Sequence, residues 1–151
     1  MTLIMKNKAG IDARYAKSEE YKRTLATIIK TDKCPFCPDN FKYHKKPILR
    51  RYKDWCVTEN SWPYENTKYH FIFISREHKE NFSDLTDADF NAVRVLANWV
   101  IKKNKIKGGG LTFRFGDSVY TGATVRHLHM HLIVPKLASK KLAFSVNFPI
   151  G

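Results

Sequence analysis

The chain has 151 residues, which is enough for one domain with a hydrophobic core and too few for two domains of ordinary size. Apolar residues make up 43% of it, but no run approaches the roughly 18 apolar residues of a transmembrane helix and the first ten residues lack a secretory signal, so we expect a cytoplasmic protein without a membrane partner. The 27 Lys and Arg residues against 14 Asp and Glu give a formal charge of +13, which indicates either a polyanionic partner, such as a nucleotide or nucleic acid, or a solvated basic surface.

The first predicted helix lies in AKSEEYKRTLATIIKTDK, residues 16–33, with Ser18 as its N-cap. Its apolar residues recur at helical spacing: Leu25, Ile28 and Ile29. Short strands are predicted at 48–52 and 55–58. The aromatic and β-branched run YHFIFIS, residues 69–75, predicts a longer strand.

The segment LTDADFNAVRVLANWVIKKNK, residues 85–105, predicts the longest helix, with Thr86 as its N-cap. Its buried stripe is predicted from apolar residues at helical spacing: Phe90, Val93, Leu96, Val100 and Ile101. After three glycines, LTFRF at 111–115 predicts a strand, GDSVYTGAT at 116–124 a polar loop, and TVRHLHMHLIVPK at 124–136 a final strand. Strands joined by short connections beside separate helices predict an α+β fold, with an antiparallel sheet of about five strands, one long helix and a second, N-terminal helix.

Three of the six histidines occupy alternate positions in the final strand: His127, His129 and His131. Because side chains alternate between the two faces of a strand, these imidazoles point one way and the intervening Leu128, Met130 and Leu132 point into the core. Three imidazoles on one face form a chemical surface, whereas a lone histidine is usually only a satisfied polar residue. Near neutral pH an imidazole serves as nucleophile, general acid or base, phosphate donor or metal ligand.

HLHMHLI resembles the signature of the histidine triad superfamily, whose members break bonds at a nucleotide's α-phosphorus. GATVRHLHMHLIVPK is especially similar to the fragile-histidine-triad branch of diadenosine polyphosphate hydrolases, and YHFIFISREHKENFSDL is similar to an upstream strand segment of the same superfamily. The resemblance implies a histidine triad domain at 34–136. An N-terminal extension with a helix at 1–33 and a C-terminal tail at 137–151 flank it.

The resemblance also implies a mechanism, with His129 as the nucleophile that forms a nucleotidyl-histidine intermediate. His131 would hydrogen-bond the phosphate oxygens, the carbonyl of His127 would fix the tautomer of the nucleophile, and Thr124 would contact the phosphate or leaving group. Further phosphate contacts are expected near the triad, from Gly122, Ala123 and Arg126.

Contacts to the base and ribose are expected from TENSWPYENTK, residues 58–68, although a rigid aromatic turn explains this segment equally well. The candidates are Glu59, Asn60, Trp62 and Pro63. His70 shares a face with Ile72 and Ile74, so it is either a satisfied core histidine or, as the family implies, part of the site.

The chain departs from the family pattern at two positions. Ala123 stands where the fragile-histidine-triad branch has a leaving-group glutamine, and Gly116 stands where many members place an amide side chain. The galactose-1-phosphate uridylyltransferase branch carries glutamine at the position of His131, so this histidine favours hydrolysis.

The three cysteines, in a chain expected to be cytoplasmic, argue against a disulfide framework. CPFC has the spacing of a zinc knuckle, with a redox pair and plain buried thiols as alternatives, and Cys56 is expected in the core. The resemblance to uridylyltransferases and bacterial triad proteins implies a structural zinc ion with four ligands: Cys34, Cys37, His78 and His127. His44 is a rival ligand.

Three functions remain open. The leading hypothesis is hydrolysis of a dinucleoside polyphosphate or nucleoside phosphoramidate. The second is nucleotidyl transfer to phosphate or a sugar phosphate, and the third is nucleic-acid binding or processing of nucleotidylated ends, motivated by the charge. The resemblance further implies a homodimer paired through the long helix and a sheet edge.

Overall fold

A computed structural model describes residues 10–139 and 141–151. The helices and strands of the described chain are α1 (Glu19–Ile29), β1 (Ile48–Tyr52), β2 (Trp55–Glu59), β3 (Thr67–Ser75), α2 (Asp87–Lys103), β4 (Gly110–Phe113), α3 (Ser118–Thr121) and β5 (His129–Pro135). The predicted α+β class, the N-terminal helix with its Ser18 cap and the long helix with its Thr86 cap are confirmed.

The strands form one antiparallel sheet in the order β1-β2-β3-β5-β4, which confirms the predicted five strands. Strand β3 is central because its aromatic and β-branched residues are buried on both faces. Phe73 lies opposite Val57 of β2 and Met130 of β5, and all three side chains face α2. The other face of the sheet carries His129 and His131, opposite Ile74 and Ile72 of β3.

Helix α2 packs its small and branched residues against the first face of the sheet. It buries Ala92, Val93, Leu96, Ala97 and Val100. The prediction that Phe90 belongs to this stripe is wrong, because Phe90 is 42% exposed and contacts Phe82 instead, with ring centroids 6.3 Å apart. The two alanines take its place, since their short side chains let the helix backbone approach the sheet closely.

The predicted polar loop at 116–124 contains the short helix α3. The Asp117 carboxylate accepts the Val119 N–H at 3.0 Å and begins the turn. Gly122 ends it with φ +66°, a left-handed conformation that favours glycine. The prediction of a loop is therefore wrong over these four residues, because the cap is made within the segment itself.

The segments on either side of the predicted triad domain pack against it. Ile11 bridges to Val125, and Leu25 and Ile28 of α1 are buried beside Ile11. In the tail, Leu137 bridges to Ala143, and Phe148 lies against His131 with ring centroids 5.2 Å apart. No helix of the described residues is long and apolar enough to cross a membrane.

Candidate functional site

Two recesses in the surface differ in chemistry. One of about 830 Å³ lies beside the three glycines before β4, and its lining contains no His, Cys, Asp or Glu. The other, of about 570 Å³, opens over His129 and His131. Besides Ile72 of β3 and the two histidines of β5, five further parts of the chain line it: the N-terminal extension, the CPFC loop, the segment before β3, the residues between β4 and β5, and the tail. The second recess is the candidate active site.

His129 is held in one tautomer at the floor of this cavity. Its Nδ1 lies 2.7 Å from the His127 carbonyl oxygen, and because a carbonyl only accepts, Nδ1 carries the proton. The lone pair is therefore on Nε2. Burial lowers the pKa of His129 to about 4, and the Arg114 charge acts in the same direction. At neutral pH His129 is an uncharged imidazole with the electronic state of a nucleophile.

A chain of hydrogen bonds fixes the proton on His131 as well. The Tyr64 backbone N–H donates to His70 Nδ1 at 3.1 Å, so the proton of neutral His70 is on Nε2, which lies 2.8 Å from His131 Nδ1. His131 thus accepts at Nδ1 and carries its proton at Nε2. That Nε2 is buried and has no hydrogen-bond partner among the described residues. A buried N–H without a partner beside a cavity is a donor suited to a phosphate oxygen.

The loop before β5 borders the cavity. Gly122, Thr124 and Val125 line it, and the Thr124 hydroxyl is 2.8 Å from the Tyr21 hydroxyl of α1. Ala123 is buried behind the loop. The side chain of Arg126 lies beside Gly10, outside the lining.

The segment before β3 forms one wall of the cavity. Trp62 stacks on Tyr21 with ring centroids 5.1 Å apart, and both line the cavity with Pro63. Asn60 Oδ1 accepts the Trp62 N–H at 2.9 Å, and the Asn60 N–H donates to the His70 carbonyl oxygen at 2.8 Å, so this residue joins the wall to β3. Glu59 is outside the lining and 3.8 Å from Lys46.

The four residues expected to bind metal converge behind the triad. The Nδ1 and Sγ atoms of Cys34, Cys37, His78 and His127 all lie within 4.8 Å of one another. His127 Nδ1 is 3.4 Å from Cys34 Sγ and 3.7 Å from Cys37 Sγ, and His78 Nδ1 is 3.5 Å from Cys37 Sγ. Ligands around a tetrahedral zinc ion are separated by about 3.3–3.8 Å, given the usual bond lengths. The donors fit a metal ion of this kind.

The far nitrogens of both histidines support that arrangement. His127 Nε2 donates to the Ser75 carbonyl at 2.6 Å and His78 Nε2 donates to Glu80 Oε1 at 2.9 Å, so each Nδ1 lone pair points into the cluster. Burial raises the pKa of Cys34 to about 12, and a bound cation would stabilise its thiolate. His44 is turned away, since its nitrogens contact Thr58 and Ser61. Cys56 is buried in the core as predicted.

The CPFC loop joins the two sites. Phe36, between the cysteines, contacts the His127 and His129 rings edge-on, with centroids 6.0 and 4.9 Å away. Metal ligation of the loop would therefore also hold Phe36 against His129.

The lining residues that were not predicted from the sequence include Lys17, Tyr64 and Arg114. Thr112 lies opposite His131 in the sheet, so Arg114, two residues further on, falls on the histidine face next to His129. Arg114 could be assigned to the cavity only from the register between β4 and β5, and the sequence alone does not determine that register.

The chain is similar to known proteins in sequence and in fold. The family model described as "Scavenger mRNA decapping enzyme C-term binding" matches residues 33–145. The "Uncharacterized HIT-like protein MG132" of Mycoplasma genitalium is 28% identical over 80 residues, which are 52% of this chain. The match spans 57% of the length of that relative.

Solved structures share the fold at low identity. A histidine triad nucleotide-binding protein from Candida albicans has a TM-score of 0.55 at 18% identity, covering 79% of this chain and 85% of its own. A histidine triad protein from Clostridium difficile has a TM-score of 0.53 at 20% identity, and the match covers 70% of this chain and 94% of that protein. A Zn-bound histidine triad family protein from Mycobacterium smegmatis has a TM-score of 0.53 at 17% identity, and the match covers 74% of this chain and 80% of that protein.

Proposed function

The chain belongs to the histidine triad superfamily, through the scavenger mRNA decapping enzyme C-terminal family, and from this we propose that it is a hydrolase that cleaves a nucleotide substrate at the α-phosphorus. The observation that carries the proposal is the state of His129. Its Nδ1–H is fixed by the His127 carbonyl, and its neutral Nε2 belongs to a side chain that lines a cavity of about 570 Å³.

In the first step, His129 Nε2 attacks the α-phosphorus and a P–N bond forms. The bond from the α-phosphorus to the leaving group breaks, and its electron pair departs with the leaving group, which takes a proton from solvent. In the second step, water attacks the same phosphorus and gives up a proton to solvent, the P–N bond breaks with its electron pair returning to Nε2, and a nucleoside monophosphate and neutral His129 are released. The unpartnered His131 Nε2–H donates to a phosphate oxygen throughout.

We propose a dinucleoside polyphosphate or a nucleoside phosphoramidate as the substrate, as in the fragile-histidine-triad branch. The description of the matched family, which names a scavenger mRNA decapping enzyme, adds the mRNA cap to these candidates. The stacked Trp62 and Tyr21 offer an apolar surface at the cavity wall for a base.

His129→Ala is expected to reduce release of nucleoside monophosphate by at least about 1,000-fold, since no other side chain can form the intermediate. The measurement is turnover of diadenosine triphosphate, a cap dinucleotide and adenosine phosphoramidate by chromatography. Arg94→Ala, on the exposed side of α2, is the matched control and should retain activity. Full turnover by His129→Ala would refute the mechanism.

Nucleotidyl transfer is the second candidate, favoured by the Cys and His cluster, which resembles that of the uridylyltransferase branch. In this case water would be replaced by inorganic phosphate or a sugar phosphate in the second step. Turnover that depends on such an acceptor would decide for transfer, and turnover in its absence for hydrolysis.

We propose that the cluster holds a structural zinc ion with Cys34, Cys37, His78 and His127 as ligands. Supporting this are the donor spacings, the two thiols, and the hydrogen bonds that aim each Nδ1 inward. Free thiols held as metal ligands also suit a reducing compartment such as the cytoplasm.

We propose further that two copies of the chain pair through β4. This strand is at the edge of the sheet, so its outer backbone groups are open to another strand. Leu111 of β4 and Phe115, two residues beyond its end, are each 52% exposed. Light scattering should give the mass of a dimer, and Phe115→Glu should shift it toward a monomer. A wild-type monomer at every concentration would refute the pairing.

A further inference from the structure

Arg114 brings a positive charge into a cavity that Glu65 also lines, and no carboxylate of the described residues forms an ion pair with it. Its Nη1 donates to the Pro149 carbonyl at 2.7 Å and its Nη2 to the Tyr64 hydroxyl at 2.9 Å, while the guanidinium carbon is 4.6 Å from the Phe148 ring centroid. None of the ion pairs of the described residues includes it. These neutral partners hold the guanidinium in place and leave its full charge available.

Lys17 places a second charge at the rim of the same cavity. Its Nζ is 4.7 Å from the Tyr64 ring centroid, and it too has no ion pair among the described residues. Tyr64 therefore stands between the two cations, with its hydroxyl bonded to Arg114 and its ring face toward Lys17. Burial lowers the pKa of Lys17, and the Arg114 charge lowers it further, so the two charges act on each other.

The cations lie beside the phosphate donor of the triad. The Tyr64 ring is nearly parallel to the His131 ring, with centroids 5.8 Å apart and an angle of 17°. Gly116 and Ala123, which the family resemblance matches to positions of amide side chains, offer no side-chain donor in this chain. A neutral amide binds many leaving groups equally, whereas a guanidinium and an ammonium bind anions preferentially.

We propose that Arg114 and Lys17 bind the leaving group, and that they select substrates in which the leaving group carries two or more phosphoryl groups. Such a substrate is a dinucleoside polyphosphate, whose cleavage releases a nucleoside diphosphate or longer. A nucleoside phosphoramidate, whose leaving group is an amine, gains nothing from the two cations. The assignment rests on the proposed function and names its substrate class.

The test compares two substrates with the same nucleotide and different leaving groups, diadenosine triphosphate and adenosine phosphoramidate. Arg114→Met should lower kcat/KM for the triphosphate by about 10- to 100-fold relative to the phosphoramidate, since charge-assisted hydrogen bonds to phosphate are lost. Arg114→Lys should recover part of the ratio of kcat/KM for the triphosphate to kcat/KM for the phosphoramidate. Lys17→Met should lower this ratio less than Arg114→Met does. Arg94→Met removes the same charge from α2 and should leave the ratio unchanged.

An equal loss for both substrates in Arg114→Met would overturn the inference, because it would show that Arg114 only anchors Pro149 and Tyr64. No loss of kcat/KM for either substrate would overturn it as well. Binding of inorganic tripolyphosphate to the wild-type protein, measured by calorimetry, gives a reading independent of turnover. It should weaken at least about 10-fold in Arg114→Met. If the wild-type protein cleaves neither substrate, the proposed hydrolysis fails, while loss of tripolyphosphate binding in the variant still supports the anion site.

Discussion

His129 and His131 share a face of β5, whereas His127 lies in a bend before the strand begins. This position corrects the predicted strand over all three histidines. The three rings use their nitrogens differently. His127 donates from Nε2 to a carbonyl and keeps Nδ1 for the metal cluster, His129 donates from Nδ1 and keeps Nε2 for the cavity, and His131 accepts at Nδ1 and keeps an Nε2 proton. A fixed backbone carbonyl or amide begins each of these assignments. The proposed roles of metal ligand, nucleophile and donor thus follow from the backbone group that each ring contacts.

His70 predicts how stability depends on pH. It is 4% exposed, and burial, with a smaller contribution from Arg114, lowers its pKa to about 4 from the usual 6.5. As pH falls, the unfolded chain therefore binds a proton at His70 before the folded chain does. The free energy of unfolding is not reduced by His70 above pH 6.5, and it decreases as pH falls from 6.5 toward 4. The loss amounts to about 3 kcal/mol for this group.

Urea denaturation of the wild type and His70→Gln at pH 7.5 and pH 4.5 measures this dependence. The free energy of unfolding should fall less steeply with pH in the variant. An identical pH dependence in the two proteins would mean that His70 is protonated in the fold or titrates normally.

At the scale of elements, Asp89 fastens the start of α2 to the sheet. Its carboxylate accepts Trp55 Nε1 from β2 at 2.8 Å, Lys79 Nζ at 2.7 Å and the Thr86 N–H at 2.8 Å. Burial alone would raise the pKa of Asp89, but these donors outweigh it and hold the pKa at about 2. One side chain therefore caps the helix, joins it to β2 and neutralises a lysine.

Asp89→Ala is expected to lower the free energy of unfolding by about 3 kcal/mol, because the buried Trp55 N–H and the Lys79 charge lose their acceptor together. Asp87→Ala, an exposed change in the same helical turn, is the control and should cost less than about 1 kcal/mol. Chemical denaturation measures both. An equal loss in the free energy of unfolding for the two variants would show that Asp89 stabilises the fold through the dipole of α2 and not through its contact with β2.

At the scale of the whole molecule, the Cys and His cluster ties distant segments together. Cys34 and Cys37 follow α1, His78 follows β3, and His127 precedes β5. A metal ion there would close loops of about 40 to 90 residues, which restricts the unfolded chain and stabilises the fold.

Removal of metal by a chelator should therefore lower the melting temperature, and Cys37→Ser should lower the bound zinc measured by mass spectrometry well below one ion per chain. Cys56→Ala changes a buried thiol outside the cluster and should keep the zinc. Purified protein without stoichiometric zinc, whose melting temperature a chelator does not change, would argue for plain buried thiols.

Several features followed from the sequence by itself, because they depend on neighbours along the chain. Period-two spacing placed His129 and His131 on one face of β5, with Met130 in the core. Local capping residues placed the starts of α1 and α2. The triad itself, as a motif, indicated the superfamily that the family model and the fold later supported.

Only the tertiary structure decided which residues surround the nucleophile. Tyr21, Tyr64 and Arg114 come from three separate segments, and they meet because α1 packs on the loop before β5 and because β4 pairs with β5 in one register. The exposure of Phe90 was decided in the same way, by how closely α2 approaches the sheet. A local pattern specifies the face on which a side chain lies, whereas the partner of that face depends on contacts between residues far apart in the chain.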